Sequence, residues 1–225
     1  MLDADRDDLT DAGKALFEME SLMQVPRLIA PVLSYLFHRL ERRFDGAPTL
    51  LILDEAWLFL DHPMFAERLR EWLKTLRKKN VSVVFATQSL SDVSQSSIAP
   101  ALIESCPTRI FLPNARACER GQAEIYKAFG LNARQIELIS AATPKQDYYL
   151  QCPAGNRLFD LKLGPIGLAL CASGSKNDQA AVDQTLEACA PGESFAAHWL
   201  NVKGLSWAAD LILEDSEGGV ACAAE

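Results

Sequence analysis

The chain has 225 residues, with 22 basic and 30 acidic side chains, a formal charge of −8, 49% apolar residues and 23% charged ones. That balance excludes a disordered chain, a collagen-like repeat and a disulfide miniprotein, and the length suffices for one large domain or one domain with a small appendage. No run of about 18 apolar residues occurs, so no membrane span is expected, and the acidic start (Asp3, Asp5, Asp7, Asp8) does not read as a secretory signal.

The acidity sits at the two ends. Residues 1–20 carry a net of −5 and residues 201–225 a net of −4, which leaves +1 between them. A pI near 5.0 argues against a dedicated nucleic-acid-binding domain, but it says little about the middle of the chain. The six cysteines (106, 118, 152, 171, 189 and 222) include no C-x-x-C pair, and His38, His62 and His198 are not at ligand spacing from them. Reduced, mostly buried thiols are expected, and no zinc site.

In chain order, residues 15–19 have the composition of a first strand. Residues 26–44 turn helical, with Leu28, Val32, Leu36 and Leu40 recurring at four; Pro26 suits a first turn and Pro31 must kink the helix or mark its true start. After the break Asp45-Gly46-Ala47-Pro48, residues 49–53 (TLLIL) form a continuous apolar strand, a pattern that implies burial on both faces. A second helix follows, with Phe65, Leu69, Trp72, Leu73 and Leu76 on one face and Arg68, Glu71, Lys74 and Lys78 on the other, ending near Asn80. Residues 81–86 make the next buried strand. A polar stretch at 87–97 leads to a short helix ending at Ser105, then a strand at 109–112. Helices are expected at 119–129 and, with Asn132 as its N-cap, at 132–140. Residues 148–151 and 158–163 read as a hairpin joined by 152–156. A helix at about 177–189 and a pair of short helices around Trp199 and Trp207 complete the chain, whose last ten residues look frayed. Alternation of short strands with helices is the signature of a parallel α/β sheet.

The run Leu50-Leu51-Ile52-Leu53-Asp54-Glu55 has the form of a Walker B strand followed by a catalytic glutamate. The C-terminal end of such a strand opens into the ligand crevice of an α/β sheet. There Asp54 can hold Mg²⁺ through its water shell, and Glu55 can orient or deprotonate the water that attacks a γ-phosphate. A buried strand whose Asp-Glu merely caps the next helix is the alternative. A second strand ends in Thr87-Gln88, 34 residues after Asp54, a spacing that suits a strand–helix–strand unit with adjacent strand ends. Gln88 then lies beside Glu55, where a neutral amide can touch the γ-phosphate or its water; otherwise it is a solvated loop residue. Arg77 either complements the helix dipole with Lys78 and Lys79 or reaches a phosphate across a subunit boundary.

Four blocks in order, LLILDEAW (50–57), LKTLRKKN (73–80), FATQSL (85–90) and PTRIFLPN (107–114), resemble the ATPases of conjugative and type IV secretion systems, the CagE/TrbE/VirB family within the RecA-like motors. FEMESLM (17–23), YLFHR (35–39) and YKAFGL (126–131) fit as well, and LGPIGLAL (163–170) with the stretch around Trp199 is similar to the TrbE branch. The resemblance covers residues 15–170. It implies an α/β RecA-like P-loop NTPase fold, a mostly parallel sheet with helices on both faces, and a small helical C-terminal appendage. The domain organisation expected from it is an acidic segment at 1–14, an ATPase core fragment at 15–170, a helical subdomain at 171–215 and a flexible tail at 216–225.

It also implies ATP and Mg²⁺ as cofactors, with Asp54 as the metal residue, Glu55 as the water-activating residue, Gln88 as the γ-phosphate sensor and Arg77 as a trans contact. The expected partners are other secretion components at the inner membrane, in a hexameric, cytoplasmic and membrane-peripheral motor for pilus assembly and export, with DNA at most an indirect substrate. One element of the family is missing: no G-x-x-x-x-G-K-[ST] occurs, and Gly13-Lys14 is followed by alanine. The phosphate-binding loop, its strand and an N-terminal domain are expected upstream of Met1, which makes the sheet incomplete and the isolated chain weak in nucleotide binding and hydrolysis. A fragment of a DNA-translocating coupling protein and a non-catalytic truncated assembly module are the alternatives.

Overall fold

The computed structural model describes residues 13–56, 60 and 63–221. The acidic stretch at 1–12, Trp57, His62 and Cys222 lie outside the described residues. These form two compact units, one running to Pro107 and including Ile125–Gly130, the other comprising Thr108–Glu124 and everything from Leu131 on. No described helix is long and apolar enough to cross a membrane.

In the first unit the expected strand at residues 15–19 is absent: the backbone is irregular and Leu16 is 95% exposed. A strand exists only through its ladder, and no described strand lies beside this segment to supply one. The short helix α1 (Glu20–Met23) leads to α2 (Pro26–Arg43). Pro26 occupies the first turn, where its missing N–H costs nothing, and Pro31 lies inside the helix, which continues past it. Leu33 and Phe37 are the buried side chains of α2, with Phe44 buried at its C-cap, whereas Leu28, Val32, Leu36 and Leu40 are half-buried. The inward face is thus rotated by one residue from the apolar stripe read in the sequence, because α2 turns its aromatic side toward the next helix.

Strand β1 (Thr49–Leu53) runs parallel to β2 (Val81–Phe85), in register from Thr49 opposite Val81 to Leu53 opposite Phe85. Between them α3 (Pro63–Thr75) and a 3-10 turn (Leu76–Lys79) make the crossover. Asn80 ends it in the left-handed conformation (φ 58°), which asparagine tolerates better than most residues. Its Nδ2 donates to the Gly46 carbonyl at 3.2 Å, and its own carbonyl accepts the Thr49 N–H at 3.1 Å, so the crossover is tied back to the start of β1. Phe65, Ala66, Leu69, Trp72 and Leu76 are buried, as their helical spacing requires. The Trp72 ring stacks on Phe37 at 4.5 Å and meets Phe44 edge-on at 5.5 Å. Leu53, Val83 and Phe85 turn to the same side as Leu69, Trp72, Leu76 and Leu102.

Burial of β1 on both faces is not met. Leu51 and Leu53 are 9% and 8% exposed, but Leu50 and Ile52 are each 61% exposed and Val84 on β2 is 47% exposed. The helices cover one face, and among the described residues nothing covers the other. Beyond β2 lie α4 (Leu90–Gln95), capped by Ser89, and α5 (Ala99–Ser105) with Leu102 buried.

The second unit holds β3 (Arg109–Phe111), which pairs antiparallel with β4 (Asp147–Cys152), itself antiparallel to β5 (Gly155–Asp160). Parallel pairing among the described strands is therefore confined to β1 and β2. The hairpin is tighter than its sequence suggests: pairing runs out to Cys152 opposite Gly155, whose φ of 139° needs glycine, leaving Pro153 and Ala154 as the loop. Helix α6 (Arg120–Ala128) is followed by α7 (Ala133–Ala141), where Asn132 and Gln135 form a capping box.

Pro165, read as a break, instead opens α8 (Pro165–Cys171) from its first turn. Helices α9 (Lys176–Ala188), α10 (Phe195–Val202) and α11 (Ser206–Ala221) follow, so helix persists past residue 216. Ala169, Ala197, Leu200, Ala208 and Ala209 make a small-residue core, and the buried Trp199 indole donates to the Ala169 carbonyl at 2.8 Å. Among the described cysteines none is fully buried, which corrects the expectation of mostly buried thiols. These thiols sit on caps and helix ends rather than on inward faces.

Candidate nucleotide site at the strand ends

The parallel register brings the ends of β1 and β2 side by side. Past Leu53 the ladder continues for two more bonds, Ala86 N–H to the Leu53 carbonyl and Ala56 N–H to the Ala86 carbonyl, both at 2.9 Å. Asp54 and Glu55 are held between those bonds. Glu55 adopts φ 49°, a left-handed conformation that costs a side-chain-bearing residue roughly 1–2 kcal/mol. Strain of this kind persists where the surroundings enforce it, and it clusters at functional sites.

The bend directs the Glu55 carboxylate across to β2, where Oε1 accepts a hydrogen bond from Gln88 Nε2. Asp54 is exposed, and its Oδ1 accepts the Glu55 N–H at 2.9 Å. The loop after β2 is set by Thr87, whose hydroxyl donates to the Ser89 carbonyl and accepts the Ser89 N–H, each at 3.4 Å, and by Ser89, which caps α4 through the Asp92 N–H. Gln88 is thereby fixed between two small hydroxyl side chains. Thr87 and Ser89 were not singled out from the sequence; the Ser-x-x-Asp spacing of 89–92, a helix-cap pattern, is the signal that marks them.

Three of the four sequence-derived residues, Asp54, Glu55 and Gln88, therefore lie together. Arg77 does not join them. It is exposed in the 3-10 turn beside Asn80, at the end of the strands where Thr49 begins. Five residues at about 3.3 Å each put it roughly 16 Å from the Glu55 end. The possibility that Asp54-Glu55 caps the next helix falls on residues 57–59, outside the described residues.

The donor set fits a hydrated Mg²⁺ and a phosphate-bound water. Asp54 supplies hard carboxylate oxygen, which suits a Mg²⁺ that keeps most of its water, and Glu55 and Gln88 supply an acceptor and an amide at one point. No cradle of backbone N–H groups around these side chains is among the described residues.

The family model of the TraG P-loop domain matches residues 2–150. The chain belongs to this family. It is 48% identical over 212 residues to a probable conjugal transfer protein TrbE of Sinorhizobium fredii, a match that covers 94% of this chain and 32% of that protein. It is 47% identical over 216 residues to the conjugal transfer protein TrbE of Rhizobium radiobacter, covering 96% and 26%. The structure of VirB4 of Thermoanaerobacter pseudethanolicus superposes with a TM-score of 0.49 at 20% identity, over 61% of this chain and 37% of that one. The chain thus spans about a third or less of the length of these TrbE relatives.

One further cluster corrects the sequence reading. Cys189, Glu193 and His198, judged from spacing alone to be too far apart for a shared ligand, are drawn together by the turn between α9 and α10, with their ligand atoms all within 4.8 Å of one another.

Proposed function

We propose that this chain is the C-terminal part of a conjugal-transfer, type IV secretion ATPase that couples ATP hydrolysis to pilus assembly and substrate export. The observation that carries the reading is the Glu55–Gln88 hydrogen bond at the C-terminal ends of two adjacent parallel strands, with Asp54 beside it. In this reading Asp54 holds Mg²⁺ through water, Glu55 orients or deprotonates the attacking water, and Gln88 reads the γ-phosphate by releasing or keeping Glu55. Arg77, at the far end of the strands, serves a neighbouring subunit in a hexameric ring. The protein works in the cytoplasm against the inner membrane with the other secretion components, and DNA is at most an indirect substrate. Its likeness to proteins named as conjugal transfer TrbE supports the assignment of system.

The test uses the protein extended upstream to carry a phosphate-binding loop. Glu55→Gln then abolishes turnover while ATP binding stays, because the base is removed and the metal residue kept. Retained turnover reduces Glu55 to a structural residue and overturns the proposal. Mixing Arg77→Ala with Glu55→Gln subunits restores some of the turnover if Arg77 acts in trans, and unchanged activity in Arg77→Ala alone removes it from the machinery.

A second reading, a non-catalytic assembly module, is favoured by the lack of any G-x-x-x-x-G-K-[ST] in residues 1–225. Comparing ATP turnover of this chain with that of the extended protein separates the two.

A further inference from the structure

We propose that Cys189, Glu193 and His198 form a zinc-binding site that clamps α9 to α10, independent of the nucleotide chemistry. Cys189 is the C-cap of α9, Glu193 closes the turn, and His198 lies in the first turns of α10. Cys189 and His198 are half-buried and Glu193 is exposed.

The turn is already organised around the would-be ligands. Gly192 takes φ 96°, the Glu193 N–H donates to the Ala190 carbonyl at 3.0 Å, and the Ala190 N–H holds Glu193 Oε2 at 2.9 Å. His198 Nε2 lies 3.1 Å from that same Oε2, and the Cys189 thiol donates to the Glu193 carbonyl at 3.6 Å. Three side chains of different chemistry thus converge on one point with their backbone supports in place.

The donor set selects the metal. One thiolate, one imidazole and one carboxylate suit a borderline-soft cation such as Zn²⁺ and not Mg²⁺ or Ca²⁺, which take oxygen. Ligands at about 2.0–2.3 Å in tetrahedral array stand about 3.5 Å from each other. The cluster, with its atoms within 4.8 Å, closes to that by about 1 Å of side-chain rotation, within the reach of a cysteine and a glutamate on a turn. Binding releases the thiol proton to solvent, the imidazole binds neutral, and the exposed side of Glu193 leaves room for water as the fourth ligand.

The clamp has a counterpart at the opposite end of the same helix pair. Asp178, in the first turn of α9, takes Lys203 Nζ at 2.5 Å from the C-cap of α10. The antiparallel pair is therefore joined by an ion pair at one end and by the ligand cluster at the other.

The full chain, stripped of metal and titrated with Zn²⁺ alone, should bind one equivalent and melt at a higher temperature in its presence. Titration with Co²⁺ alone should give a tetrahedral visible spectrum with a thiolate charge-transfer band. Cys189→Ser removes that band and His198→Gln weakens binding by more than the roughly 10–100-fold that an outer-shell change costs. Cys118→Ser and Cys171→Ser, which alter exposed thiols elsewhere, leave both intact. Circular dichroism of each variant shows whether it is folded; should Cys189→Ser fail to fold, the Co²⁺ spectrum of Glu193→Gln decides, with its shift supporting the site. No stoichiometric Zn²⁺ binding, or a thiolate band that survives Cys189→Ser, overturns the proposal.

Discussion

Replacing Trp72 with phenylalanine tests how the helical layer supports the strands that carry Glu55 and Gln88. Phenylalanine keeps a ring against Phe37 and Phe44 but loses the indole N–H, which donates to Glu41 Oε1 at 2.7 Å. A hydrogen bond to a charged group contributes about 1.5–3 kcal/mol. Glu41 keeps Arg68 Nη1 at 3.3 Å and is partly exposed, so the low end applies. Shrinking a side chain that is only 3% exposed leaves a void worth about 1 kcal/mol more. The expected loss is about 2–3 kcal/mol, or roughly 4–10 °C in Tm at about 2–4 °C per kcal/mol for a chain of this size. Glu41→Gln keeps an acceptor for the indole and should cost about 1 kcal/mol or less. Urea unfolding followed by far-UV circular dichroism, on both single variants and the double, measures each contribution. In the Trp72→Phe background Glu41→Gln should cost less than in the parent. A Trp72→Phe loss below about 0.5 kcal/mol, or strict additivity of the pair, would refute the bond as a support of this layer.

Asn80→Ala should destabilise by about 1–2 kcal/mol, since alanine resists φ 58° and the bond to Gly46 is lost; Asn80→Gly should recover the conformational share only, as thermal melts of the three proteins would show. The Lys203 ammonium, with the Ser175 hydroxyl and N–H, holds the Asp178 carboxyl down to about 2 from 3.8. A carboxyl depressed on folding stabilises above its unfolded value and loses that contribution as pH falls through the folded one. Acid titration should therefore show Asp178→Asn less stable than the parent near neutral pH, with the gap closing between about pH 4 and pH 2; a gap that persists at about pH 2 would sink the assignment.

The parallel pairing of β1 and β2, and with it the meeting of Glu55 and Gln88, was legible because two apolar runs of strand length flank one amphipathic helix. The Asn132 cap was legible for the same kind of reason, a local pattern with one mechanical meaning. What failed to show depended on neighbours. Apolarity at Leu50 and Ile52 states what the strand could bury, not whether a layer lies over it. Residues 15–19 have strand composition but no partner among the described strands. The inward face of α2 was set by Trp72 on another helix, which moved it from Leu36 to Phe37. Pro165 carries two meanings, stop and first turn, and only the small-residue core around Ala169 decides between them. Cys189 and His198 meet because a glycine turn folds one helix end onto the next, and pairwise spacing rules do not register that.

Amide exchange would make the one-sidedness of β1 visible residue by residue. In a parallel pair each strand alternates its N–H groups between its two edges. The Thr49 N–H points to Asn80 on the β2 side, so Leu51 and Leu53 donate toward β2 while Leu50 and Ile52 donate the other way, where no described strand waits. Their side chains are also the exposed ones. Leucine and isoleucine in the middle of a strand would therefore trade their protons with solvent about as readily as loop residues, and their neighbours one position on would keep theirs.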